Sequence, residues 1–233
     1  MITENPFLEK KVLVVTAHPD DEAYFAGTLR QVVESGGEVR LLCGTLGERG
    51  RSYLPYECPA EELKQIRYAE LCAAANAVGI SKIYVGGYPD GALMESVEAF
   101  TAQIERVVFE YSPDIILGYG PDGYTGHADH VAAYTAAFSV AHARSLPYVA
   151  FTLPPHPHRV ELMRLLQAKR KLGVYRAGVE APEPSVVVSV DVEFKVGLLR
   201  CHASQLQGLN PYVVFGEVLG GHLMRHEYFR IMS

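Results

Sequence analysis

The chain reads as an α/β protein with a Rossmann-like, doubly wound, mainly parallel sheet and helices on both faces. Three observations predict this. Short runs rich in Val, Leu and Ile alternate with longer segments whose apolar residues recur at helical spacing. Glycine or proline closes most of the helical segments. At 233 residues, 48% hydrophobic and 21% charged, the chain is long enough to bury a core between such layers. A single domain over residues 1–233 is the expectation.

Lys11 to Thr16 (KVLVVT) is apolar for nearly its whole length, as a strand buried on both faces must be. Glu22 to Ser35 reads as a helix stopped by Gly36-Gly37, and Glu38 to Cys43 as the second strand. In Glu61 to Val78, Leu63, Ile66, Ala69, Ala73 and Ala77 share a helical face, and Gly79 ends it. Lys82 to Val85 is a short strand. Ser96 to Tyr111 is a helix that ends before Pro113, because the residue ahead of a proline avoids helical geometry. Asp114 to Gly118 is the fourth strand, His127 to His142 a helix and Tyr148 to Thr152 a strand. Val160 to Lys171 reads as helical, Ser185 to Val190 as a strand, and Asp191 to Gln205 as a helix that Asp191 can cap. Two long irregular stretches, Gly44 to Pro59 and Gly118 to Gly126, follow strands. In a parallel sheet both emerge at the carboxyl edge, where such folds build their sites.

A net charge of −6 without basic clusters argues against nucleic acid or an anionic membrane as the main partner. No apolar run is long enough to span a bilayer, and Met1 to Pro6 lacks the pattern of a signal peptide. Cys43, Cys58, Cys72 and Cys201 form no Cys-x-x-Cys pair, which fits buried thiols in a reducing compartment. A cytoplasmic protein acting on a small molecule is expected. A homo-oligomer stays open: the tail residues Tyr212, Phe215, Tyr228 and Phe229 could close a site or form a subunit contact.

The chemistry concentrates in two short motifs. Ala17-His18-Pro19-Asp20-Asp21-Glu22 follows the first strand directly. His18 and Asp21, three apart, can aim at one point, while Asp20 between them points elsewhere and is free to act as a base. The competing interpretation is a polar turn with Asp20 or Asp21 capping the next helix. Gly126-His127-Ala128-Asp129-His130 opens a helix after the fourth strand. The helix N-terminus disfavours a cationic ring and so keeps both imidazoles in the neutral, metal-binding form. Neutral imidazoles with a carboxylate favour zinc, although iron could take its place. Asp129 could orient a ligand or simply be a first-turn carboxylate.

Gly44, Gly47 and Gly50 fall at every third position but match neither Gly-x-Gly-x-x-Gly nor a P-loop, so a flexible substrate-facing loop is expected. Arg49 and Arg51 in that loop could meet an anionic group. Arg67 could bind substrate or pair with Glu70 on a wet helix face. His156 and His158 sit in a Pro-rich turn and should be exposed. His222 and His226 have helix-face spacing, but Gly220-Gly221 stand just before them and no ligand-like carboxylate pattern lies nearby, so no second metal site is expected there.

The two His-Asp motifs resemble those of the zinc-dependent sugar de-N-acetylases of the PIG-L/LmbE type. Enzymes of that family act in glycolipid-anchor, mycothiol and bacillithiol biosynthesis. The likeness continues through Gly27-Thr28-Leu29, Thr45-Leu46-Gly47-Glu48, Arg67 with Glu70, Pro89-Asp90-Gly91, Ser112-Pro113-Asp114 and His202-Ala203-Ser204-Gln205. The family usually has Pro where this chain has Ala128, a position that supplies no side-chain ligand. The resemblance implies zinc ligation by His18, Asp21 and His130, with Asp20 as general base. His127 would polarise the developing oxyanion or act as an acid. It also implies substrate contacts from Glu48, Arg67, Asp90 and His202. The implied reaction is removal of the N-acetyl group from an N-acetylglucosamine-type conjugate, with N-acetylglucosaminyl malate of bacillithiol biosynthesis the favoured substrate. Alternatives are a chitin-derived oligosaccharide, a thiol conjugate, or a nucleotide- or phosphosugar-binding protein without this activity. A two-metal phosphohydrolase would need more well-placed carboxylates than the sequence offers.

Overall fold

The first strand, β1 (Lys11–Thr16), is buried except at Lys11 and forms the centre of the sheet. In the computed structural model, residues 2–155, 181–206 and 224–232 are described. β1 pairs in parallel with β2 (Glu38–Cys43) on one side and with β4 (Ile115–Tyr119) on the other. β3 (Lys82–Val85) extends the sheet beyond β2, and β5 (Tyr148–Phe151) extends it beyond β4, both in parallel. β7 (His226–Met232) then inserts antiparallel between β5 and β6 (Val186–Ser189). The full order is β3-β2-β1-β4-β5-β7-β6. The chain runs outward from β1 to β3 and returns to β4 on the opposite side of β1. A crevice therefore opens between the carboxyl ends of β1 and β4, the position where open α/β sheets bind ligands.

Helices α1 (Ala26–Glu34), α2 (Ala60–Val78), α3 (Val97–Tyr111) and α5 (Ala128–Ala143) lie close to their expected places. The helix expected from Glu22 to Ser35 is broken, however. Asp21–Tyr24 forms a separate 3-10 turn, and α1 starts only at Ala26. The cause is a cap from a distant strand: Glu227 of β7 accepts the backbone N–H of Gly27 at 3.1 Å and of Thr28 at 2.8 Å. A carboxylate at a helix N-terminus satisfies orphan donors and complements the dipole. Glu227 is buried and also pairs with Lys195 Nζ at 2.8 Å. A buried charge that loses its partner is costly, so Lys195→Met should destabilise the fold by about 3–5 kcal/mol in chemical denaturation.

β7 was not expected from the sequence, since its buried glutamate interrupts the apolar pattern of a core strand. Its Tyr228 and Phe229 are buried, so they belong to the interior and not to a subunit contact. His226 lies on this strand rather than on a helix face. Asp191 caps α6 (Val192–Leu199) as expected, accepting from Glu193 N at 2.8 Å and Phe194 N at 3.4 Å. That helix ends at Leu199, short of Gln205, and Ala203–Gln205 forms a 3-10 turn. A single helical turn, α4 (Gly123–Gly126), occupies the end of the loop after β4. The four cysteines are free, but only Cys43 is buried. Among the described residues no helix is long and apolar enough to cross a membrane. The expected helix from Val160 to Lys171, His156, His158, Tyr212, Phe215 and His222 lie outside the described residues.

Candidate active site

The carboxyl ends of β1 and β4 bring both motifs together. His18 leaves β1, and its backbone N–H donates to Asp21 Oδ2 at 2.7 Å, folding the turn so that both side chains face the crevice. Tyr119, the last residue of β4, accepts from Ala17 N at 3.0 Å and donates its hydroxyl to the same Asp21 oxygen. Burial and the Asp21 charge push the Tyr119 phenol upward, so it stays a donor. With Oδ2 taken by two donors, Asp21 turns Oδ1 to His130 Nε2 at 3.3 Å.

His130 stands in the first turn of α5, its ring stacked on Tyr119 at 4.3 Å between centroids. Its Nδ1 lies 2.9 Å from the carbonyl of Gly123, which can only accept. Nδ1 therefore carries the hydrogen, and Nε2 directs a lone pair inward. His18 is oriented the same way by carboxylates: its Nε2 lies 3.2 Å from Asp90 Oδ1 and 3.3 Å from Asp129 Oδ2. Its Nδ1 faces His130 Nε2 at 3.2 Å and Asp21 Oδ2 at 3.4 Å. Two ring nitrogens and a carboxylate thus converge with only lone pairs between them. A proton or a metal cation must sit among them. Bonds of about 2.0–2.1 Å at tetrahedral angles place ligand atoms about 3.3–3.4 Å apart. The 3.2 Å between His18 Nδ1 and His130 Nε2 and the 3.3 Å from His130 Nε2 to Asp21 Oδ1 match that, while the 3.4 Å from His18 runs to the other oxygen, Oδ2. The two imidazoles are therefore spaced to hold a zinc-sized ion, with Asp21 reaching it through Oδ1; His127, and Asp90 with Asp129, also bring ligand atoms within 4.8 Å of His18.

The surroundings favour positive charge at this point. Burial by itself would depress the His18 imidazole, but Asp129, Asp21 and Asp90 outweigh it and raise it well above its ordinary value. Burial would raise Asp21, yet His130 and His18 hold it well below the usual carboxylate range. Asp90 is held down to about 2, its burial outweighed by His18 and by the Arg49 backbone N–H. Asp129 is also lowered, against its burial, by His18 and by the N–H groups of Gly91 and Leu93 at 2.7 and 3.0 Å.

His127 is the N-cap of α5, accepting from Asp129 N at 3.2 Å through Nδ1. Its ring meets that of His18 edge-on at 4.9 Å, and its nitrogens come within 4.8 Å of those of His18 and His130. Burial and the two neighbouring imidazoles lower it to about 4, so near neutral pH it is uncharged. The Nδ1 acceptor role leaves the hydrogen on Nε2.

Asp20 holds φ +96, left-handed backbone that an L-residue adopts only under constraint. Three contacts from Glu22 and Arg67 hold this turn. The Asp20 N–H donates to Glu22 Oε2 at 3.1 Å, Arg67 Nη2 lies 3.3 Å from its Oδ1, and the same Nη2 donates to Pro19 O at 2.5 Å. Glu22 in turn pairs with the buried His202 at 2.5 Å, which ties the C-terminal part of the chain to this turn. Desolvation raises the Asp20 carboxyl, with Arg67 opposing. Its side chain is still 32% exposed, so it is reachable from the crevice.

The remaining residues singled out by sequence gather around this centre in different ways. Glu48 accepts from Asp90 N at 2.9 Å, and Asp90 accepts from Arg49 N at 3.0 Å, which locks the Gly-rich loop to the turn after β3. Arg67 is buried and makes no pair with Glu70; its Nη1 donates to Gly47 O at 2.9 Å. Gly47 has φ +66, and a Cβ there would lie 2.1 Å from Arg67 Nη1. The loop is thus glycine-rich to admit a guanidinium, not a phosphate. The side chains of Arg49 and Arg51 are exposed, with Arg51 over the Tyr53 ring at 4.9 Å. Sequence reading missed Tyr119, Glu22 and the Gly123 carbonyl. Glu22 stood inside the motif and Tyr119 at a strand end, but a backbone carbonyl leaves no sequence signal.

This fold and site define an α/β protein whose crevice gathers a His/Asp cluster able to hold a metal ion, and comparison with known proteins gives its family. Residues 13–141 match the family described as PIG-L, GlcNAc-PI de-N-acetylase, and the chain belongs to it. It is 33% identical to a probable N-acetyl-alpha-D-glucosaminyl L-malate deacetylase 2 of Bacillus cereus, over 87% of this chain and 86% of that protein. It is 27% identical to a 1D-myo-inositol 2-acetamido-2-deoxy-alpha-D-glucopyranoside deacetylase of Geodermatophilus obscurus, over 96% of this chain and 92% of that one. Among solved structures, an N,N'-diacetylchitobiose deacetylase from Pyrococcus horikoshii superposes with a TM-score of 0.67 at 26% identity, covering 96% of this chain and 84% of that one.

Proposed function

We propose that the protein is a zinc-dependent amidohydrolase that removes the N-acetyl group from an N-acetylglucosamine-type conjugate, releasing acetate and a free amine. The observation that carries this reading is the triangle of lone pairs from His18, Asp21 and His130, with Asp20 and His127 on its flanks. Zinc, when bound there, supplies a Lewis acid and water acidic enough to lose a proton near neutral pH. Asp20 takes the proton from the attacking water and passes it to the leaving amine. His127 donates its Nε2–H to the amide oxygen as that oxygen gains charge, an interaction that grows toward the transition state. Asp129 and Asp90 accept from His18 and fix the tautomer that turns Nδ1 inward. Glu22, Arg67 and His202 act on Asp20 by holding its backbone and carboxyl in place. Glu22→Gln, which keeps an acceptor but weakens the grip of His202, should lower kcat about tenfold with KM and zinc content unchanged. A matching fall in thermal stability with no change in kcat would reduce Glu22 to a structural residue.

A conjugate bearing a carboxylate, such as the malate glycoside named in the Bacillus relative, suits the exposed guanidinium groups of Arg49 and Arg51. The deciding experiment follows acetate release from N-acetylglucosaminyl malate, methyl N-acetylglucosaminide and N,N'-diacetylchitobiose by zinc-loaded protein. The malate conjugate should have the highest kcat/KM. Arg49→Ala and Arg51→Ala should each cut that advantage about two- to fivefold, as exposed charge pairs do. Equal rates on charged and uncharged glycosides would remove the anionic group from the reading, and faster turnover of chitobiose would replace it. No hydrolysis of any of the three would overturn the assignment itself.

A further inference from the structure

A cavity of about 130 Å³ opens beside Asp20, between the turn after β1 and the C-terminal strands. Tyr24, Tyr124, Phe151, Leu199 and Tyr228 supply apolar and aromatic parts of its wall. Three of these rings pack on one another: Tyr124 lies 4.3 Å from Phe151 and 5.2 Å from Tyr24, and Tyr24 lies 5.6 Å from Phe151. Tyr124 holds φ 60, ψ −52 to deliver its ring, backbone that costs an L-residue energy and persists where the surroundings impose it. The charged or titratable residues Asp20, Lys195, His202 and His226 share this wall: Lys195 and His202 are engaged with Glu227 and Glu22, Asp20 is held by Arg67, and His226 stands on β7. What faces the space is chiefly hydrocarbon and aromatic surface.

Its size exceeds what an acetyl methyl needs. An engineered apolar cavity of about 150 Å³ accepts benzene, so this space suits a group of about four to six carbons. A methyl group alone would leave much of the wall without contacts. The position selects which part of a substrate would enter. Asp20 belongs to the cavity wall and also, as the proposed base, stands beside the reacting carbon. The acyl substituent is one bond from that carbon, whereas a glycosidic aglycone is separated from it by the amide nitrogen, two ring carbons and an oxygen. The polar groups suited to sugar hydroxyls, Asp90 and Glu48, belong instead to the loops after β3 and β2.

We propose that this cavity is an acyl pocket, and that the enzyme hydrolyses N-acyl amino sugars with acyl chains of about four to six carbons as well as acetyl. The proposal rests on the amidohydrolase reading above. It is tested first by calorimetric binding of the carboxylate products acetate, butyrate and hexanoate to zinc-loaded protein. Affinity should rise about three- to fourfold per added methylene, the value of burying each one. Leu199→Trp, at the partly exposed wall and outside the metal cluster, should flatten that series without changing acetate binding. The second measurement compares kcat/KM for methyl glycosides of N-acetyl, N-butyryl and N-hexanoyl glucosamine, with octyl N-acetylglucosaminide as the aglycone control. The longer acyl substrates should at least equal the acetyl one, and only they should respond to Leu199→Trp. A flat carboxylate series with N-acetyl hydrolysis intact would overturn the pocket and leave the deacetylase reading standing. A response confined to the octyl glycoside would assign the cavity to the aglycone and overturn the proposal. Chain-length-dependent binding with no hydrolysis of any amide would overturn the amidohydrolase reading and the acyl assignment together.

Discussion

His130→Ala is expected to abolish activity and lower zinc affinity by more than about 100-fold, since losing even an outer-shell partner costs about 10–100-fold. His18→Ala and Asp21→Ala should do the same, because a three-ligand site has no redundancy. The prediction follows from orientation as much as from residue type. His130 Nε2 faces the crevice because Nδ1 is tied to Gly123 O at 2.9 Å and the ring is stacked on Tyr119. The neighbouring imidazole, His127, is set differently, with its Nδ1 engaged by the Asp129 N–H. His127→Ala should therefore keep its zinc and lose turnover. Tyr119→Phe, which removes one of the two donors on Asp21 Oδ2, should weaken zinc binding to an intermediate degree. Elemental analysis of dialysed proteins, with circular dichroism as the check on folding, orders the series. Full zinc in folded His130→Ala would remove His130 from the centre, and loss of zinc in His127→Ala would put His127 in it.

The sequence carried the parts of this arrangement that depend on residue type and local spacing. The apolar run of β1 followed at once by His18 and Asp21, and the pair His127 and His130 at a helix start, are local patterns. Strand alternation puts both at the carboxyl edge, so their meeting could be foreseen. Harder to read were features made by contacts between distant parts of the chain. The break at Phe25 is imposed by Glu227, about two hundred positions away, which supplies the cap that starts α1 at Ala26. That same buried charge hid β7, because a glutamate in a core strand is uncommon unless it is paired. Arg67 looked like a helix-face residue with Glu70 as neighbour, but Ser204 takes the Glu70 carboxylate at 2.7 Å and leaves Arg67 for Gly47 and Pro19. Its position could have been read only together with Gly47, whose missing side chain makes room for it.

Asp20→Asn should keep the metal, leave KM nearly unchanged and lower kcat by about two to four orders of magnitude, the usual weight of general acid–base catalysis. Asparagine is the right probe because it tolerates left-handed backbone better than most residues, so the φ of +96 at this position survives the change. Its amide keeps the size of the carboxylate, and the backbone N–H can still donate to Glu22 Oε2. What it lacks is a basic oxygen. Arg67→Lys gives the matching contrast: the carboxylate remains, but the fork that spans Gly47 O, Pro19 O and Asp20 Oδ1 is replaced by a single ammonium. That variant should lose turnover to a lesser degree, about tenfold, because it misplaces the base without removing it. The double variant should then fall no further than Asp20→Asn alone, since a positioning residue has nothing left to position. Additive losses would mean that Arg67 acts on the substrate directly. Loss of zinc from folded Asp20→Asn would make Asp20 a ligand, and wild-type turnover would require a different base.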